Sequence, residues 1–332
     1  MLFILQSTFI NQRLLLLSRL LYFWILFNVF ALGMLVLDLR VFNRPGHVVR
    51  FREALLRSGM YVALAGVFAL GLFFWQGHQT ALEFVTGYVL ELSLSVDNLF
   101  VFLIIFHYFA VPEDQQHRVL FWGVIGALIM RGIFIGAGVG LLSRFHWILF
   151  VFGGLLVISG IRFLMGGEHK VDPAKNPMVR AIRRLMPITS EYHGGKFLVR
   201  SPEQKMRLCA TPLLVVLIVI ETTDVVFAVD SIPAILAITL NAFIVYTSNV
   251  FAILGLRSMY FAVSGLMKVF RFLRYGLAVI LIFVGGKMLA ADYFKLPISV
   301  TLAVVAGVLS IAMVLSAIFP EKNEGQKVTA SK

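Results

Sequence analysis

Five carboxylic acids stand inside stretches that are otherwise apolar: Glu91, Asp97, Glu221, Asp224 and Asp230. They fall in two matched segments, Glu91-Leu92-Ser93-Leu94-Ser95-Val96-Asp97-Asn98 and Asp224-Val225-Val226-Phe227-Ala228-Val229-Asp230-Ser231. Each has an acid, a second acid six places on preceded by valine, and a small polar residue after it. A charge near a bilayer centre costs about 2.5 to 3.5 kcal/mol even on the lenient insertion scale, so acids placed there without a role are not expected. Their neighbours Ser95, Asn98, Thr222, Thr223 and Ser231 add hydroxyl and amide oxygens. An all-oxygen set suits hard cations such as manganese, magnesium or calcium better than zinc or copper. None of the seven histidines lies within a helical turn of the acids. The chemistry to expect is cation or proton handling.

Three bases, Arg131, Arg257 and Lys287, also lie inside apolar stretches and are the charge partners on offer. Five acids against three bases leave a deficit of two positive charges, which one divalent cation or two protons would neutralise. Two other outcomes stay open: shifted pKa values could remove the charge without any ion, and the acids could pair with the bases only to hold helices together. On a regular helix Glu221 and Asp224 share a face, whereas Glu91 and Asp97 lie about 120° apart and about 9 Å along the axis. Pro233 offers a break in the second segment, because proline lacks an N–H and crowds the carbonyl four residues back, that of Val229. Broken helices with freed carbonyls line the cation sites of membrane carriers. Phe100 occupies the matching position in the first segment.

The elements that must position these residues are transmembrane helices. Of 332 residues 60% are hydrophobic and 14% charged, with a mean hydropathy of +0.91, too apolar for one water-soluble shell. The reading is an all-α polytopic transmembrane helix bundle of about nine spans: 20 to 37, 59 to 75, 82 to 109, 119 to 142, 147 to 165, 211 to 238, 242 to 263, 275 to 291 and 298 to 318. The single cysteine, Cys209, excludes an intramolecular disulfide and Cys-rich metal motifs. No nucleophile and base stand at a recognisable spacing, so an enzyme is not expected. No resident cofactor is implied.

The formal net charge of +12 is mainly an orientation marker and does not call for nucleic acid. Alternate connections hold 22 of the 29 Lys and Arg residues, the opposite side four, and three lie inside spans. By the positive-inside rule this puts the N-terminus outside and the C-terminus in the cytoplasm. The basic connection 166–210 could also contact anionic lipid headgroups. It is too short for a domain with its own core.

Three spans repeat. The acidic segments are offset by 133 residues, Gly126 to Arg131 lies over Ala252 to Arg257 at 126, and Gly160-Ile161-Arg162 lies over Gly285-Gly286-Lys287 at 125. An odd number of helices makes the second copy enter from the opposite side, giving the inverted repeat found in many transporters. The organisation is then an N-terminal segment 1–19 of uncertain status, two spans in 20–81, the first three-helix repeat 82–165, the basic loop 166–210, the second repeat 211–292, a last span 293–318 and a tail 319–332. Gly136, Gly138 and Gly140 form a small-residue stripe suited to close helix contact rather than phosphate binding.

The chain resembles the TerC family of integral membrane proteins, Alx type, among the LysE-like transporters. The resemblance is carried by Glu91 to Phe102, by His117-Arg118-Val119-Leu120-Phe121-Trp122-Gly123 and by Glu221 to Ala234, and it covers roughly residues 25 to 320. It implies a bacterial inner-membrane exporter of manganese, with a family name taken from tellurite resistance. The family's acidic positions carry over onto Glu91, Asp97, Glu221, Asp224 and Asp230. It is the resemblance, not the composition, that selects Mn²⁺ among the hard cations. Asp97 and Asp230 are the expected central ligands, with the other three acids as further ligands or proton carriers and H⁺ as a counter-ion. The alternative is a membrane assembly or insertion factor, or a scaffold of a tellurite-stress complex.

Overall fold

Hydrocarbon offers backbone groups no hydrogen-bond partners, so an apolar run that enters it must satisfy them within itself as helix. Every one of the nine apolar runs does so. A computed structural model describes residues 21–37, 51–165, 177–189, 191–201, 207–264, 272–294 and 296–318. The elements are α1 (Leu21–Leu37), α2 (Phe51–Gln76), α3 (His78–Tyr108), α4 (Glu113–Arg144), α5 (Ile148–Leu164), α6 (Pro177–Leu185), β1 (Leu198–Ser201), β2 (Arg207–Ala210), α7 (Pro212–Leu236), α8 (Ala242–Ser264), α9 (Leu273–Leu289) and α10 (Ile298–Ile318). Among the described residues α2, α3, α4, α7 and α10 are long and apolar enough to cross a membrane by themselves; α1, α5 and the first part of α8 are shorter apolar helices.

The chain divides into two units, Met1–His47 and Val48–Lys332. In the first, the amide of Asn28 donates to the Trp24 carbonyl one turn back (2.8 Å), which hides a polar group in an apolar helix. The second is the bundle. Its outer faces carry large apolar side chains such as Leu56 (78% exposed) and Phe74 (83%) on α2, a burden that a bilayer, and not water, accommodates. The chain is an integral, multi-pass, all-α membrane protein.

Within the bundle the three-helix repeat becomes a two-fold arrangement. The most extensive helix contact is between α5 and α9, which are mates under the repeat. A Cβ on Gly160 would lie 2.8 Å from the Ala278 carbonyl oxygen, and one on Gly285 would lie 2.7 Å from that of Gly153. The offset of 125 turns one contact into the other, since it carries 160 to 285 and 153 to 278. Small residues one heptad apart on each helix let the two backbones touch. The pairs α3 with α8 and α4 with α7 are likewise exchanged by the repeat, and both are closely packed. The stripe of the fourth span contributes only at its centre: Gly138 faces Leu236, while Gly136 and Gly140 face open space.

The basic connection departs from the expectation of a plain loop. It contains α6 and a two-stranded antiparallel ribbon in which Leu198 pairs with Ala210 and Ser201 with Arg207. This is the one β element among the described residues. The residues just before the ribbon are fastened to the adjoining ends of α3 and α4: the Tyr192 hydroxyl donates to the carbonyl of Phe109, which follows α3 (2.7 Å), and Arg118 of α4 donates to the Gly195 carbonyl (3.2 Å). Gly195 needs its positive φ of 76° there, and the Arg118 side chain fills the space a Cβ would take. Residues 1–20, 166–176 and 319–332 lie outside the described residues.

The close approach predicts a contrast between two adjacent glycines. Gly285→Ala should lower the melting midpoint of the detergent-solubilised protein, because backbone cannot rotate away from an inserted methyl and overpacking costs about 1 to 3 kcal/mol. Gly286→Ala, which meets nothing within 4 Å, should leave it unchanged or slightly raised. Equal midpoints for the two variants would refute the contact.

Candidate cation site

Among the described residues the acids do not form one cluster. Among the described residues no three carboxylate, imidazole or thiol groups come close enough to hold a metal together. Two neighbouring arrangements replace it.

The first is a buried ionic centre where α3, α4, α7 and α8 meet. Arg131 of α4, 2% exposed, donates through Nη1 to Glu91 Oε1 of α3 and to Asn249 Oδ1 of α8 (2.7 Å). Its Nε stands 3.8 Å from Asp224 Oδ2 of α7, an ion pair without a hydrogen bond. Asn98, one face up α3 from Glu91, donates its amide to Asp224 Oδ1 (3.4 Å). Ser95 Oγ reaches Glu91 Oε1 at 3.5 Å, while Glu91 Oε2 is buried with no partner. Glu91 and Asp224 are the matched acids of the two repeats, so one guanidinium bridges symmetry mates. This much of the ion-pairing alternative is present in the structure.

The second arrangement lies beside it, between α3, α5 and α7. A cavity of about 20 Å³, room for one water-sized occupant, is lined by Leu94, Asn98, Phe163, Phe227, Asp230 and Ser231. Ser159 of α5 donates its hydroxyl to Asp230 Oδ1 (2.6 Å). The Ser231 hydroxyl, on a residue 3% exposed, has no hydrogen-bond partner. Asn98 belongs to both arrangements: its NH₂ serves the ionic centre and the residue lines the cavity.

The remaining expected residues sit as follows. Glu221 is partly buried against Gly126, where a Cβ would fall inside its carboxylate. Thr222 donates to the carbonyls of Ile218 (2.8 Å) and Val219 (3.0 Å), and Thr223 to that of Val219 (2.7 Å), so both hydroxyl protons are used within α7. Lys287 donates to Thr301 Oγ1 of α10 (3.1 Å) rather than to an acid. The side chains of Asp97 on α3 and Arg257 on α8 lie outside the described residues. Pro233 does not break its helix, contrary to expectation. α7 runs through it to Leu236, although a proline has no N–H to give the carbonyl four residues back, that of Val229. The helix is held by packing, since Ile232, Ala234, Ile235 and Leu236 around the proline are all buried.

Asn249, Ser159 and Thr301 were missed by a search for charge. A search for uncharged polar residues inside spans would have found the run Thr247-Ser248-Asn249, all fully buried.

The comparisons agree with an integral membrane bundle. The model of the TerC family of integral membrane proteins matches residues 76–324. A membrane protein of Myxococcus xanthus, STKORF319, is 47% identical over 295 residues, covering 89% of this chain and 92% of its own. A protein of Photorhabdus laumondii, whose name, Alx, carries a proposed role as membrane-bound redox modulator, is 44% identical over 303 residues (88% and 93%). Its namesake in Escherichia coli K12 is 43% identical over 314 residues (92% and 97%). No solved structure matches the chain.

The ionic centre yields a stability prediction. Arg131→Met leaves Glu91 and Asp224 buried without their shared cation, and breaking a buried pair in this way costs about 3 to 5 kcal/mol. Membrane yield and melting midpoint should both fall. Adding Glu91→Gln should recover part of the loss, and a double variant no better than the single one would argue against the pairing.

Proposed function

The chain belongs to the TerC family of integral membrane proteins, and from that premise we propose that it carries a hard divalent cation, Mn²⁺ by resemblance, out of the cytoplasm across the inner membrane. The observation that supports this reading is the cavity lined by Asp230, Ser231 and Asn98, where the buried Ser231 hydroxyl has no hydrogen-bond partner. A carboxylate, an amide and a hydroxyl offer oxygen donors only, the set that hard cations take. The cavity stands between helices of the two repeats, where inverted-repeat carriers expose one site to either side by turns. Asp97, whose matched partner is Asp230, is proposed as the second carboxylate ligand. Glu221 is proposed as a proton carrier for exchange.

The lysine and arginine asymmetry supports an outside N-terminus and a cytoplasmic C-terminus. The α6 and ribbon segment then lies on the cytoplasmic side, and its basic residues contact anionic lipid headgroups. The redox role in the name of the Alx relatives would, in a chain whose single cysteine is buried, act through the metal content of the cell rather than through a dithiol.

Purified protein in vesicles with a pH gradient should move Mn²⁺, and Asp97→Asn and Asp230→Asn should each abolish the flux while the protein stays folded in the membrane. Comparing Ca²⁺ and Mg²⁺ sets the selectivity. Wild-type vesicles without flux in any of the three ions, together with a partner protein that co-purifies, would favour an assembly factor instead. For orientation, green fluorescent protein fused at the C-terminus should fluoresce and alkaline phosphatase fused there should be inactive; the reverse pattern would invert the bundle.

A further inference from the structure

We propose that Asp224 is a positioning residue rather than a ligand of the cation: it fixes the side-chain amide of Asn98 so that the carbonyl oxygen, not the NH₂ group, faces the cavity. This rests on the cation-carrier reading and deepens it by naming what makes the cavity an oxygen site.

The argument begins with what Asp224 can still do. Its carboxylate is 5% exposed and is occupied from two sides, by the Arg131 guanidinium at 3.8 Å through Oδ2 and by Asn98 at 3.4 Å through Oδ1. A carboxylate held beside a guanidinium accepts hydrogen bonds and donates none. The Asn98 group that faces it must therefore be the NH₂. Because oxygen and nitrogen occupy opposite arms of a planar amide, this turns Oδ1 away from Asp224. Asn98 also lines the cavity with Asp230 and Ser231, and it is 3% exposed, so little other space is open to that oxygen.

The consequence is chemical. In the other flip an NH₂ dipole would point at the cavity and repel a cation. In the observed flip the cavity gains a carbonyl oxygen beside the Asp230 carboxylate and the Ser231 hydroxyl. Partners that orient ligands without touching the ion commonly govern its affinity by about 10- to 100-fold when removed. Arg131 has a part in this too, since its guanidinium stands beside the Asp224 carboxylate and is itself held by Glu91 and Asn249. Asp224 and Asn98 come from different repeats, 126 residues apart. The donor set of the cavity is thus completed across the boundary between them.

A double-mutant cycle on the full-length protein tests this. Mn²⁺ affinity is measured for wild type, Asp224→Asn, Asn98→Ala and the double variant, by Mn²⁺ electron paramagnetic resonance titration in detergent, with melting midpoints taken on the same samples. Asp224→Asn should weaken binding by about 10-fold or more, because an amide neighbour permits either flip of Asn98. Asn98→Ala should weaken it similarly. The double variant should bind within about threefold of Asn98→Ala alone, because a residue that acts only through another adds nothing once that other is gone. If the two losses multiply, Asp224 is a ligand in its own right and the proposal falls. It falls as well if Asn98→Ala binds like wild type, or if affinity follows the melting midpoint across all four proteins, which would make both effects structural. A wild-type protein that binds no Mn²⁺, Ca²⁺ or Mg²⁺ overturns the carrier reading itself, and the proposal with it.

Discussion

A guanidinium cannot be left alone in a medium that does not solvate it, and the centre of this bundle is arranged around that fact. Arg131 is buried on α4 and finds Glu91 on α3, Asp224 on α7 and Asn249 on α8. No single helix could supply such a set, so the charge obliges four helices to converge at one level. Desolvating these groups is expensive, and their mutual attraction offsets the cost only when the geometry is good. The ionic centre is therefore better understood as fixing which helices meet, and at what register, than as a net source of stability. Apolar packing above and below does the stabilising, with one cluster around Leu99, Phe106, Val216 and Tyr260 and another around Ile135, Ala228, Ile232 and Leu236.

Around this centre, backbone and chemistry follow different symmetries. The backbone keeps the two-fold: Gly160 on Ala278 and Gly285 on Gly153 are the same contact made twice. The matched acids and arginines keep it in sequence too, but residues that partner or adjoin them depart from it. Ser159, which bonds Asp230, is matched at the offset of 125 by Val284; Asn249, which bonds Arg131, is matched at 126 by Gly123; and Pro233 is matched at 133 by Phe100. Two halves that pack alike but carry different donors can exchange positions mechanically while holding a charge more tightly on one side. An inverted repeat used for alternating access benefits from that combination, since like packing keeps the two orientations close in energy.

How much of this the sequence revealed depends on the kind of interaction. Helices α1 to α5 and α7 to α10 were legible because each lies in an apolar run, five of them of full membrane length among the described residues, and hydrocarbon leaves such a run one backbone solution. The acids were legible because charge in an apolar run is costly enough to stand out. Their partners were not. Whether Arg131 meets Glu91, Asp97 or Asp224 depends on the rotation of α4 against α3 and α7, which the packing of many small contacts sets. Lys287 shows the same limit: its spacing made it a charge partner, and packing gave it the Thr301 hydroxyl. The ribbon β1–β2 escaped notice because Leu198 to Ser201 and Arg207 to Ala210 are too short and too basic to read as strands on their own, and pair with each other across the intervening residues.

The separation of the acids also changes the meaning of the charge deficit. Counted along the chain, five acids exceed three bases by two, as though the excess stood in one place. In the bundle Arg131 is shared by Glu91 and Asp224, so among the described side chains that centre has two acids for one base, and the Asn98 amide dipole meets part of the difference. Asp230 lines the cavity and accepts a hydrogen bond from Ser159. The acids thus have different standing toward a cation. Those beside Arg131 would have to give up a guanidinium to act as ligands, whereas Asp230 lines a cavity of its own. Asn98 spans the two, and through it the engaged acids can still govern what the cavity accepts.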